Sequence, residues 1–163
     1  NIEPTLEDKV HIIQNAIELA IMMGVPEPKV AILSAVETVN VKIRSTLDAA
    51  ALCKMADRGQ IKGGLLDGPL AFDNAISLVA AKTKGIRSAV AGQADILVVP
   101  DLESGNMVAK QLEYLANALT AGIVLGTKVP IVLTSRADSA ETRTASCVIA
   151  ALIAHANRKN GTT

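Results

Sequence analysis

Aromatic side chains are nearly missing from this sequence. Phe72 and Tyr114 are the only two among 163 residues, and there is no Trp. A core must therefore be built from Ala, Val, Ile, Leu and Met, whose small size permits close packing of helices on a sheet. The same shortage argues against a platform on which nucleic-acid bases stack. No charge of one sign dominates either: 16 Lys and Arg balance 16 Asp and Glu. No block of basic residues stands out, so nucleic acid and an anionic membrane are disfavoured as partners. Long apolar runs are also lacking. The longest are broken by Gly, Asp or Lys, well short of the roughly 20 residues of a membrane span. The opening Asn1-Ile2-Glu3-Pro4 has neither an initiator Met nor the basic-then-apolar order of a signal segment, which predicts a processed or truncated piece. Cysteine is scarce. Cys53 and Cys147 lie among alanines in helical patterns with no ligand spacing around them. They read as buried thiols in a reducing, cytoplasmic compartment rather than as a disulfide.

What is present is a chain long enough to bury a core on the scale of one domain. Thr5 with Asp8 forms a capping-box pattern opening a first helix that runs to about Met23, where Gly24 stops it. Val10, Ile13, Ile17, Ala20 and Ile21 mark its apolar face. Val30 to Ser34 reads as a strand. Ser45-Thr46-Leu47-Asp48 opens a second helix by the same capping logic, closed by Gly59. Gly64 to Leu66 is a short strand leading into Asp67-Gly68-Pro69, which reads as a turn. A third helix covers about Phe72 to Lys82, and Ile96 to Val99 is a strand. A fourth helix runs from about Asn106 to Leu119. Ile123 to Leu125 is either a short strand or a helix tail, and Ile131 to Leu133 is a strand. A last helix spans Ser139 to about Asn157, followed by a frayed tail from Lys159 to Thr163. The strands are apolar throughout and alternate with helices. That pattern predicts an α/β fold with a mostly parallel sheet covered by helices on both faces.

Residues 95 to 106, Asp-Ile-Leu-Val-Val-Pro-Asp-Leu-Glu-Ser-Gly-Asn, are the most informative stretch. An apolar strand is stopped by Pro100, a polar tip follows, and a helix pattern begins. This order brings backbone N–H groups and small polar side chains to the carboxyl end of a parallel strand. Similar edges occur at Leu65 to Pro69 and at Ile131-Val132-Leu133-Thr134-Ser135-Arg136. Edges of this kind facing one crevice suit a phosphorylated or otherwise anionic ligand.

Four motifs stand in order: Ser34-Ala35-Val36-Glu37-Thr38-Val39-Asn40, Asp67-Gly68-Pro69-Leu70-Ala71-Phe72-Asp73, Ala94 through Asn106, and Leu133-Thr134-Ser135-Arg136. Together they closely resemble the phosphate acetyltransferase and phosphate butyryltransferase family, from about Pro4 to His155. The resemblance implies transfer of an acyl group between coenzyme A and inorganic phosphate. It implies two α/β domains like those of isocitrate and isopropylmalate dehydrogenases, with the active site in the cleft between them, and a homodimer. It matches the carboxyl-terminal half of the family pattern. Residues 1–125 would then be the inserted second domain, and 126–163 the return segment of the first. Coenzyme A enters as a substrate, and no cofactor or metal is implied.

Phosphorolysis of a thioester requires phosphate held against the carbonyl carbon, a stabilised oxyanion and a stabilised or protonated thiolate. Arg136 is the candidate for phosphate, because a guanidinium grips two oxygens at once. Ser135 can donate its hydroxyl to the oxyanion or to the leaving sulfur. In the family this Ser-Arg pair occupies the active site. A base is needed to take the thiol proton in the direction that makes acyl-CoA. Some acetyl-specific members carry an Asp seven residues beyond the serine, but here that position is Thr142. Asp138 and Glu141 are the nearby carboxylates, though Asp138-Ser139-Ala140-Glu141 also fits a capping box. Arg143 either adds positive charge there or is an exposed helix residue. Ser104, Gly105 and Asn106 precede the fourth helix, whose amino terminus favours an anion. Asn106 either caps that helix or bonds a ligand, and Lys110 points to the same place or to water. His11 and His155 read as ordinary helix residues, and Met22, Met23 and Met55 as core filler.

Two rival readings remain. One is a non-catalytic module that dimerises or binds a nucleotide-like ligand. The other is a relative of the decarboxylating dehydrogenases, which lacks support because no Gly-rich dinucleotide fingerprint is present. Apolar surface rich in Ala, Val and Ile predicts self-association.

Overall fold

A computed structural model describes residues 1–159, so the tail from Asn160 to Thr163 lies outside the described residues. Contacts divide the chain into two compact units, Asn1–Gly105 and Asn106 onward.

The first unit is a three-stranded parallel sheet with helices on both faces. Its strands are β1 (Lys29–Leu33), β2 (Leu65–Leu70) and β3 (Ile96–Val98), in the order β2-β1-β3. Successive side chains of a strand point to opposite faces, so the central strand serves two cores. Val30 and Ile32 point into one, with Val98 and with Ile13 and Ile17 of α1 (Leu6–Met22). Ala49 and Leu52 of α2 (Arg44–Asp57) complete it. Ala31 and Leu33 point into the other, with Leu70, with Ala75 of α3 (Phe72–Ile76) and with Ala81 of α4 (Leu78–Thr83). A strand buried on both faces has no polar positions to alternate with, which is why β1 reads as an unbroken apolar run.

Helix α1 starts as its sequence predicts: Thr5 Oγ1 accepts from the Asp8 N–H, and the Asp8 carboxylate accepts from the Thr5 N–H. Helix α2 does not. It starts two residues earlier, with Ile43 rather than Ser45 in the cap position and no side-chain cap. Ser45 instead shares a 2.7 Å hydrogen bond with Ser34, and Thr46 donates to the Asn40 and Ile43 carbonyls. The predicted single helix from Phe72 to Lys82 is two short ones. Ser77 is extended between them and caps the second by accepting from the Ala80 N–H.

Asp67-Gly68-Pro69 is not a turn beyond a strand. It lies within β2, where the register against β1 shifts between Ala31 and Leu33, and the Gly68-Pro69 peptide bond is cis. A Cβ on Gly68 would sit 2.8 Å from the Ile32 carbonyl oxygen, so only glycine fits this approach.

Helix α5 (Leu102–Leu115) begins four residues before the position predicted for it. In the second unit, β4 (Ile123–Val124) and β5 (Ile131–Val132) form a two-stranded antiparallel sheet, and α6 (Ala140–Lys159) packs on it. Residues 123–125 are therefore strand rather than helix tail. Gly122 and Leu133 bracket this pair, and the Leu133 N–H donates to the Gly122 carbonyl.

Several expectations about burial are corrected. Met22 and Met23 are exposed at the end of α1, whereas Met55 packs against the first core. Cys147 is exposed and Cys53 is half-buried; both are free thiols. His11 and His155 are exposed helix residues.

Candidate functional site

The Ser135-Arg136 tip is a tight turn at the entrance to α6. The Asp138 N–H donates back to the Ser135 carbonyl at 3.2 Å. The Asp138 carboxylate accepts from the Ser135 N–H at 2.6 Å. The four-residue turn is thus closed from both sides, by backbone and by side chain. Arg143, one turn into α6, donates to the Arg136 carbonyl at 3.4 Å. The Arg136 side chain is exposed, and among the described residues no carboxylate pairs with it. A planar donor fork left without a protein anion is suited to an external one.

The cap of α6 differs from the predicted box. Ser139 accepts from the Thr142 N–H at 3.1 Å and donates to the Thr142 hydroxyl at 3.2 Å. Glu141 takes no part in the cap: it is exposed, without an ion-pair or hydrogen-bond partner among the described residues. Thr142, at the position where some family members carry Asp, is buried and committed to the helix start. Its carbonyl accepts from Ser146, whose hydroxyl in turn accepts from the Gly122 N–H, tying α6 to the approach of β4.

Ser104, Gly105 and Asn106 do not precede a helix; they lie inside α5. The true cap is Asp101. Its carboxylate accepts from the Ser104 N–H at 2.8 Å and from the Ser104 hydroxyl at 2.7 Å. These bonds hold the Asp101 carboxyl below the usual carboxylate range. The Ser104 hydroxyl is therefore spent within the protein. Gly105 makes a close approach, but to the Val99 side chain, 2.8 Å from where a Cβ would stand. Asn106 is exposed on α5, too far into the helix to cap it. Lys110 follows one turn later and pairs with Glu113 at 2.6 Å, which raises its pKa; it is also within reach of the Asp138 charge.

Sequence reasoning missed a polar cluster beyond the carboxyl ends of β1 and β2. Lys84 lies 3.3 Å from Glu37 and 3.1 Å from Asp73. Its hydrogen bond lowers the Asp73 pKa and raises its own. Asn74, fully buried, donates to Glu37 at 3.3 Å, while its side-chain oxygen has no partner among the described residues. Glu37 and Asp73 stood inside two of the quoted motifs, but 47 residues separate Glu37 from Lys84, and no local spacing links them. A cavity of about 330 Å³ bordered by Asp57, Asp67, Arg87 and Ser88 also occurs in the first unit. It includes Gly64 and Leu65, where β2 begins, whereas open α/β sheets bind ligands beyond the carboxyl ends of their strands. Among the described residues no group of three or more His, Cys, Asp or Glu side chains is placed to hold a metal ion, and no helix is long and apolar enough to cross a membrane.

Comparison with known proteins agrees with these motifs. A family model described as "Phosphate acetyl/butaryl transferase" matches residues 1–151. A phosphate acetyltransferase of Rhizobium meliloti is 66% identical over 158 residues, 97% of this chain and 50% of that protein. A phosphate butyryltransferase of Clostridium acetobutylicum is 51% identical over 154 residues, 94% of this chain and 51% of that protein. Among solved structures, a branched-chain phosphotransacylase from Enterococcus faecalis V583 superposes with a TM-score of 0.85 at 39% identity, covering 93% of this chain and 54% of that one. The chain spans about half the length of the relatives it matches. With its α/β architecture and its four motifs in register, this chain belongs to the phosphate acetyl/butyryl transferase family.

Proposed function

We propose that the protein carrying this chain is a phosphate acyltransferase, which interconverts acyl-CoA plus inorganic phosphate with acyl phosphate plus CoA. The observation that carries this reading is the Arg136 guanidinium, without a carboxylate partner among the described residues and presented beside Ser135 on a turn closed at both ends. Arg136 holds the phosphate oxygens and draws the nucleophile to the thioester carbonyl. The Ser135 hydroxyl donates to the oxyanion or to the departing sulfur. Glu141, at the start of α6 and without a partner among the described residues, takes the CoA thiol proton in the direction that forms acyl-CoA. Lys110 and Asn106, on one face of α5 four residues apart, contribute to holding the anionic substrate. The inserted-domain boundary near residue 125, the homodimer, the cytoplasmic location and the absence of nucleic-acid or membrane partners belong to the same proposal.

The acyl group is acetyl or a butyryl-sized chain; relatives named for both are similar to this chain. The test is phosphate-dependent release of CoA from acetyl-CoA and from butyryl-CoA, in the unsubstituted protein and in Arg136→Ala. Loss of one guanidinium from the phosphate is expected to lower kcat/KM about 100-fold or more. Undiminished turnover in the variant would remove Arg136 from the mechanism. A second reading, a non-catalytic module, draws support from the half-length match alone; acyl transfer by the 163-residue chain would exclude it.

A further inference from the structure

We infer that Asp138 is a positioning residue for the Ser135-Arg136 turn and not the proton acceptor of the reaction, an inference that rests on the acyltransferase reading above. One carboxylate oxygen of Asp138 lies 2.6 Å from the Ser135 backbone nitrogen. That oxygen is committed to the main chain of the turn and is not presented to a substrate proton. A general base must bring its oxygen within hydrogen-bond reach of the proton it takes.

Position leads to the same conclusion. The bond from Asp138 runs to the backbone of the residue directly before Arg136, and the return bond from the Asp138 N–H closes the turn. Arg143 secures the next carbonyl along, that of Arg136. Asp138, just before α6, and Arg143, in its first turn, therefore fix the backbone on either side of the Ser135-Arg136 peptide. The Ser135 and Arg136 side chains are left exposed. An arginine that grips phosphate with two donors needs a fixed Cα position, because small displacements at a reacting centre cost rate steeply. Asp138 supplies that constraint through main-chain atoms and without touching substrate.

The two roles separate experimentally. Asp138→Asn keeps an oxygen that can accept from the Ser135 N–H but cannot act as a base. Asp138→Ala removes both. Positioning predicts that Asp138→Ala raises KM for phosphate about five- to tenfold, the scale of one lost hydrogen bond. It also predicts that Asp138→Asn restores most of this and that the acidic limb of the pH profile of kcat survives in both variants. A base predicts that Asn and Ala are equally impaired in kcat and that the acidic limb disappears; this result would overturn the inference. Amide hydrogen exchange at Ser135 supplies a readout independent of turnover. It is expected to accelerate in Asp138→Ala and to stay slow in Asp138→Asn, and equal, fast exchange in the unsubstituted protein would also overturn the inference. Absence of acyl transfer in the unsubstituted protein would instead refute the proposed function, while leaving the exchange result intact.

Discussion

Lys9 of α1 and Asp48 of α2 form an ion pair of 2.7 Å that is almost withdrawn from water, with side-chain exposures of 7% and 12%. A buried pair is a weak source of net stability, but breaking it by removing one member strands the other. The two ends are not equivalent here. Arg44 stands 3.9 Å from Asp48 and partly compensates that carboxylate, whereas no second carboxylate pairs with Lys9 among the described residues. Asp48→Ala is therefore expected to cost about 3 kcal/mol, and Lys9→Met to cost less. Urea unfolding of the three proteins at one pH checks the order. The reverse order would show that Arg44 gives Asp48 no relief.

Asp101 caps α5 through the Ser104 N–H and hydroxyl. Asp101→Ala is expected to destabilise by about 1 kcal/mol, as loss of an N-cap does. The sign of the pH effect follows from the lowered native pKa. The unfolded state takes up a proton at the ordinary carboxylate value of about 4, while the native state resists it. The stabilisation from ionised Asp101 is therefore fully present above that value and fades as pH falls through the native pKa. Thermal unfolding from pH 7 downward should show the unsubstituted protein and Asp101→Ala converging in acid.

The two cysteines should differ sharply in reactivity. Burial, with the nearby Asp67 and Asp57 charges adding to it, pushes the Cys53 thiol up to about 12, and its sulfur lies 3.7 Å from the Gly68 carbonyl oxygen. The thiolate is the reactive form, so Cys53 should resist alkylation at pH 8. Cys147 is exposed on α6. Mass mapping after brief treatment with iodoacetamide is expected to find the label on Cys147 alone, and on both residues in urea. Equal labelling in the native protein would show that the α2 and β2 packing around Cys53 opens readily.

The second unit carries many apolar side chains in water. Leu115 is 82% exposed and Leu133 64%, and Leu119, Val129, Val148 and Leu152 are exposed as well. Apolar surface on this scale drives association. Sedimentation of the chain across a concentration series is expected to show species heavier than a monomer. Leu115→Lys with Leu133→Lys should reduce them. A strictly monomeric profile at high concentration would count against association.

The sequence by itself determined the α/β class and the parallel sheet. It also specified the cap of α1, because periodicity and a local capping box are written in neighbouring residues; the strand before Ser135-Arg136 reads as parallel and pairs antiparallel instead. The start of α5 was legible in principle, since Asp101 and Ser104 stand at capping distance, but Asn106 competed for the same role. Only the tertiary structure decided the rest. Asp48 looked like a helix cap and is an inter-helix ion partner, because the approach of α1 sets its choice. Asp67-Gly68-Pro69 looked like a turn and is strand, because β1 pairs on either side of it, Ala31 with Asp67 and Leu33 with Leu70. Glu37, Asn74 and Lys84 meet only where the ends of two strands come together. Local propensity is fixed within a few residues, whereas the partner of a charge or of a backbone N–H is chosen by whatever the fold places against it.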